Sequence, residues 1–136
     1  MEAIVRTYQE RTPGSAARAE RARALLPGGD FRAAAWHPPY PLTLAHAAGP
    51  WLHDVDGHRY LDLLGNYTAL VHGNAHPAIV EAASRALAGG TCWAAGNDPM
   101  LDLAGLLVER VGSVERVRFC NSGSEATMHA AMVARE

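Results

Sequence analysis

Val117-Arg118-Phe119-Cys120 leads into the small polar turn Asn121-Ser122-Gly123-Ser124 and then into the helix-forming residues Glu125-Ala126-Thr127-Met128. A strand passing through such a turn into a helix can grip a phosphate. The first helical amides have no intrahelical acceptor, and the aligned peptide dipoles add partial positive charge at the same place. Ser122 and Ser124 add hydroxyl donors, and Gly123 allows close approach of the backbone. Glycine-serine turns also join strands to helices with no ligand present, so the turn by itself leaves both readings open. All 12 basic Lys+Arg residues are arginines. Chemistry that needs a lysine amine must therefore be completed outside these residues.

Other residues compete for a chemical role. Asp54-Val55-Asp56-Gly57 resembles the nucleophile motif of haloacid-dehalogenase-type phosphatases, in which the first aspartate attacks and the second acts as an acid. That motif should end a buried apolar strand, whereas here strand-like runs flank it on both sides, which favours a hairpin turn. The same residues lack the remaining ligands of a calcium loop. His72 and His76 are four apart, but Gly73 and Pro77 argue against one helix carrying both, and no metal site is expected. His76 is expected to cap the helix that begins at Pro77. Cys120 reads as a small buried apolar residue, and neither it nor Cys92 has a basic neighbourhood that would make it reactive.

The elements that must position these groups follow from proline, glycine and apolar spacing. Residues 2–11 can form a helix, and a second follows Thr12-Pro13, with Thr12 or Ser15 as its cap, and runs to Leu26 before Pro27-Gly28-Gly29. Pro41 to Ala47 alternates like a strand. Trp51 to Val55 and His58 to Asp62 flank Asp56-Gly57 as the arms of a hairpin. Helices are expected from Pro77 to Ala88, from Asp98-Pro99 to Gly112 with Leu101, Ala104, Leu107, Val108 and Val111 on one face, and from Gly123 onward. A strand is expected over Arg116 to Cys120. The order is that of an α/β domain preceded by a small antiparallel segment, with residues 1–70 forming the segment and 71–136 opening the larger domain.

With 136 residues, 49% hydrophobic and 19% charged, the composition is that of a globular protein. A net charge of -2 gives no reason to expect a nucleic-acid binder; the arginines at 6, 11, 18, 21, 23 and 32 outnumber the acids in the first 32 residues, but interleaved with Glu10 and Glu20 they read as a solvated helix face. No stretch approaches the roughly 18 apolar residues of a membrane span, the start lacks the pattern of a signal peptide, and two cysteines make no disulfide scaffold, so the cytosol is the expected compartment. The last helix reaches Ala134-Arg135-Glu136 without a stop signal, and one strand with three helices cannot build a covered parallel sheet. The expectation is an N-terminal piece of a longer protein.

Four motifs occur in order: Leu26-Pro27-Gly28-Gly29, Asp54-Val55-Asp56-Gly57 with Tyr60-Leu61-Asp62, Gly73-Asn74-Ala75-His76-Pro77, and Phe119 to Ala126. Together they resemble the N-terminal part of class III pyridoxal-phosphate aminotransferases, in the branch of glutamate-1-semialdehyde aminomutases and β-amino-acid transaminases. The resemblance implies a fold-type-I α/β enzyme with pyridoxal 5'-phosphate as cofactor. Its partners would be a small-molecule amino donor and a keto acceptor, with neither nucleic acid nor membrane, and the full-length protein would be a homodimer. Ser122, Gly123 and Ser124 inherit the cofactor-phosphate role, with Ser124 where the family often has threonine. The Schiff-base lysine, the ring-nitrogen acid and the ring-stacking residue would lie beyond these residues, which should be inactive alone.

Arg32 stands where this branch places an arginine for the substrate carboxylate, a task suited to a planar guanidinium; the alternative is a solvated surface arginine. Tyr67 falls where aminomutases carry a tryptophan beside the substrate; the alternative is a core aromatic. Asp30-Phe31-Arg32 and Tyr67 depart from the aminomutase pattern and favour a transaminase, with intramolecular amino transfer as the nearest alternative. A phosphatase built on Asp54 and Asp56, or a noncatalytic phosphate-binding module, are the alternatives from other classes.

Overall fold

The computed structural model describes residues 1–135. The chain forms two compact units, Met1–Gly89 and Gly90–Glu136. In the first, helices α1 (Glu2–Arg11) and α2 (Pro13–Leu25) precede a three-stranded antiparallel sheet of β1 (Leu44–Ala48), β2 (Trp51–Asp54) and β3 (Arg59–Leu61), in the order β1-β2-β3. A single turn, α3 (Gly65–Thr68), and helix α4 (Pro77–Ala88) complete it. The second unit holds α5 (Asp98–Arg110) and α6 (Gly123–Val133).

Proline in the first turn starts α2, α4 and α5, where its missing N–H costs nothing. The β2–β3 hairpin pairs Leu52 with Tyr60 and His53 with Arg59. Asp54 N–H donates to the His58 carbonyl at 3.1 Å, so Val55, Asp56 and Gly57 form the loop. Gly57 sits at φ +88°, the left-handed position that a three-residue hairpin loop requires.

The first unit is held by a small, polar core. Thr12, Ser15, Ala22, Tyr40 and Asp54 are its buried residues. Thr12 Oγ donates to the Tyr8 carbonyl at 2.6 Å and lies 3.2 Å from Tyr40 Oη, while Tyr8 Oη donates to the Tyr40 carbonyl at 2.8 Å. These bonds tie the α1–α2 corner to the segment entering the sheet. Burial, with the charges of Tyr40, Tyr60, Asp54 and Asp56, pushes the Tyr8 phenol up to about 12.

Three expectations are corrected. Neither Thr12 nor Ser15 caps α2 with its side chain. The cap comes from the hairpin: Asp56 accepts from Gly14 N at 2.6 Å, from Ser15 N at 3.1 Å and from Ser15 Oγ at 3.2 Å. A Cβ on Gly14 would stand 2.7 Å from Asp56 Oδ1, so glycine is what lets the carboxylate reach the helix end. His76 occupies the position before α4 but its side chain makes no capping bond. Arg116 to Cys120 is not a strand, because no neighbouring strand among the described residues offers it a hydrogen-bonding ladder.

Candidate functional site

Helix α6 begins in a Ser-x-x-Glu capping arrangement whose signal, Ser122 three residues before Glu125, is present in the sequence. Ser122 is extended at φ -150° and ψ 158°, and its Oγ accepts from Glu125 N at 3.2 Å. The Glu125 carboxylate reaches back to Asn121 N at 2.8 Å and to Ser122 Oγ at 3.4 Å. This rigidifies the entry to the helix. The amides of Gly123 and Ser124 and the Ser124 hydroxyl make no hydrogen bond among the described residues. Nothing would obstruct even a Cβ at Gly123. Three donors thus stand unpaired among the described residues in the first turn of an 11-residue helix, at its positive end, a set that fits a phosphate.

Arg32 and Tyr67 are brought together in the first unit. The Arg32 guanidinium carbon lies 5.3 Å from the centre of the Tyr67 ring, and Nη1 donates to Asn66 Oδ1 at 2.7 Å. Arg32 is exposed yet tethered at both its head and its backbone, since its amide donates to the Asp30 carboxylate. Tyr67 is 44% exposed in this chain. Asn66 was not singled out from sequence; the signal for it is the Gly65-Asn66 pair, both types that tolerate left-handed backbone.

Asp54 and Asp56 have structural employment. Asp54, 3% exposed, accepts from His58 N at 2.7 Å, His58 Nδ1 at 2.9 Å, Tyr60 Oη at 2.9 Å and Asp56 N at 3.0 Å. Burial raises its pKa, but the bonds from His58, Tyr60 and Asp56 outweigh that and hold it below the usual carboxylate value. A carboxylate with four donors and no solvent access is not an available nucleophile, and Asp56 is committed to α2. The phosphatase reading is therefore set aside. Asp62 accepts from Gly65 N at 2.8 Å, Asn74 Nδ2 at 3.0 Å and Leu64 N at 3.1 Å, bonds that lower its pKa.

The rings of His72 and His76 lie 5.4 Å apart, and they do not share a helix. Cys120 is half-buried rather than buried, Cys92 is exposed, and both are free thiols. No helix among the described residues is long and apolar enough to cross a membrane.

The family model for class-III aminotransferases matches residues 32–136. A glutamate-1-semialdehyde 2,1-aminomutase of Rhodopirellula baltica is 43% identical over 126 residues, covering 90% of this chain and 29% of the relative. A β-phenylalanine aminotransferase structure from Variovorax paradoxus matches with a TM-score of 0.92 and 36% identity, over 98% of this chain and 31% of that one. A transaminase solved with pyridoxal phosphate bound matches with a TM-score of 0.88 and 40% identity, over 91% of this chain and 29% of that one. The chain therefore spans somewhat under a third of the length of these proteins. Its fold is that of the corresponding part of fold-type-I transaminases.

Proposed function

The chain belongs to the class-III aminotransferases, a pyridoxal-phosphate-dependent family, and from that membership we propose that the protein carrying it moves an amino group from an amino acid or amine to a keto acid. The observation that carries this reading onto residues is the free donor set at the start of α6. Ser122, Gly123 and Ser124 hold the cofactor phosphate: Gly123 and Ser124 through their amides, Ser124 through its hydroxyl, and Ser122 by capping the helix that aims them. When bound, pyridoxal phosphate supplies an electrophilic aldehyde and an electron-withdrawing ring. No residue of this chain is a lysine, so the amine that engages that aldehyde comes from outside these residues.

Arg32 binds the carboxylate of the amino-acid substrate with paired N–H donors, and Tyr67 supports it through its ring face. Residues 71–136 open the larger, cofactor-binding domain, and the complete protein works as a cytosolic homodimer. Tyr67 and the Asp30-Phe31-Arg32 spacing favour intermolecular transfer over aminomutase chemistry.

A screen of amine donors against keto acceptors with the complete protein tests this. Turnover should require an added keto acid. Isomerisation of glutamate-1-semialdehyde with no added acceptor would replace the transaminase reading with the aminomutase one.

A further inference from the structure

We propose that Asn66 is a positioning residue that orients the Arg32 guanidinium and thereby sets selectivity for carboxylate-bearing amino donors; this rests on the carboxylate-binding role of Arg32 proposed above. Arg32 is a long exposed side chain, and an unrestrained guanidinium would lose much of its rotamer freedom each time it met a substrate. Two contacts remove that freedom in advance. Asn66 Oδ1 takes Nη1 at 2.7 Å, and the Tyr67 ring lies 5.3 Å from the guanidinium carbon.

The backbone that presents Asn66 is strained in a way that needs explanation. Gly65, Asn66, Tyr67 and Thr68 follow one another at φ values of 53°, 48°, 58° and 68°. L-residues visit this left-handed region singly, not in runs, and such strain persists where neighbours over-determine it. Here the neighbours are visible. The Asp62 carboxylate accepts from Leu64 N and Gly65 N, and the Asn74 amide holds its other oxygen. Leu64 O and Gly65 O accept from Thr68 N and Leu70 N, each at 3.0 Å. This left-handed turn puts the Asn66 amide and the Tyr67 ring on the same guanidinium.

The residue type matters as much as the place. Asparagine tolerates the left-handed backbone and offers a neutral acceptor, so it holds one N–H without cancelling the charge on Arg32. The other guanidinium donors make no hydrogen bond among the described residues and are left for an anion. Asp30, the nearby carboxylate, is bonded to the Arg32 backbone amide, and no salt bridge to the guanidinium occurs among the described residues.

The test uses the complete, cofactor-loaded protein and a matched donor pair, an amino acid and the amine lacking its carboxylate. Asn66→Gly keeps the left-handed backbone and removes only the amide. It should lower the ratio of kcat/KM for the acid to that for the amine about tenfold, the lower end of what one hydrogen bond to a charged group contributes because Asn66 acts through Arg32, with the loss in KM rather than kcat. Asn66→Asp, which neutralises Arg32, should lower the same ratio further. Arg32→Ala is the control for the underlying reading. A selective loss in Arg32→Ala with an unchanged ratio in both Asn66 variants overturns the positioning role alone. An unchanged ratio in Arg32→Ala overturns the carboxylate role of Arg32 and this proposal with it.

Discussion

Ser124→Ala is the sharpest probe of the phosphate site, because the hydroxyl it removes makes no hydrogen bond among the described residues. The exchange therefore breaks no hydrogen bond among the described residues, and alanine is the better helix former at an exposed position. Of the three free donors at the start of α6, one is lost and the amides of Gly123 and Ser124 remain. A hydrogen bond to a charged group contributes about 1.5–3 kcal/mol, which corresponds to a roughly 10- to 150-fold rise in the dissociation constant. The assay is equilibrium titration of the complete apo-protein with pyridoxal phosphate and, in parallel, with pyridoxal, which lacks the phosphate. Only the first should weaken, and Ser124→Thr should restore it because the hydroxyl returns. An unchanged affinity for pyridoxal phosphate, or an equal loss for both compounds, would refute the assignment.

Two further predictions concern stability. Asp56→Ala removes the cap of α2 and strands amides that the carboxylate now holds, one of them on fully buried Ser15. Loss of a cap costs about 0.5–2 kcal/mol and a stranded buried donor about 1–3 kcal/mol. A destabilisation of about 2–4 kcal/mol is expected by denaturant unfolding, with faster hydrogen exchange concentrated in the first turn of α2; exchange unchanged there would contradict the long-range cap from Asp56. Asp54 and Asp62 both have lowered pKa values, so the stability they confer is present above the unfolded aspartate pKa of about 3.9 and lost as pH falls through their folded values. Thermal unfolding followed from neutral to acid pH should show that fall, and Asp54→Asn should flatten it; an identical acid slope in the variant would count against the linkage.

Local signals made most of the elements legible. Pro13, Pro77 and Pro99 start helices, and Asp56-Gly57 marks the hairpin, because each acts through its own backbone geometry. The capping of α2 was not legible: Thr12 and Ser15 stand at the start of the helix in sequence, but the acceptor arrives from Asp56, some 41 residues on from Ser15. The Ser122-x-x-Glu125 box is legible in the sequence as a reciprocal cap, because both its bonds close within four residues. Arg116 to Cys120 has strand-like composition, yet a strand exists only when a partner pairs with it.

By itself, then, the sequence determined that hydroxyl-bearing residues and a glycine stand at Ser122-Gly123-Ser124 where a helix begins, that no residue is a lysine, and the order of motifs that points to the family. These are properties of short stretches, where spacing and backbone preference act within a few residues. Only the tertiary structure decided that Asp54 and Asp56 are structural carboxylates and that Asn66 and Tyr67 converge on Arg32. The cap from Asp56 and the grouping on Arg32 depend on which groups separated by 34 to 42 residues become neighbours, and on a run of left-handed backbone that the residue types permit but do not demand, whereas Asp54 is fixed by donors folded back from Asp56, His58 and Tyr60 of its own hairpin.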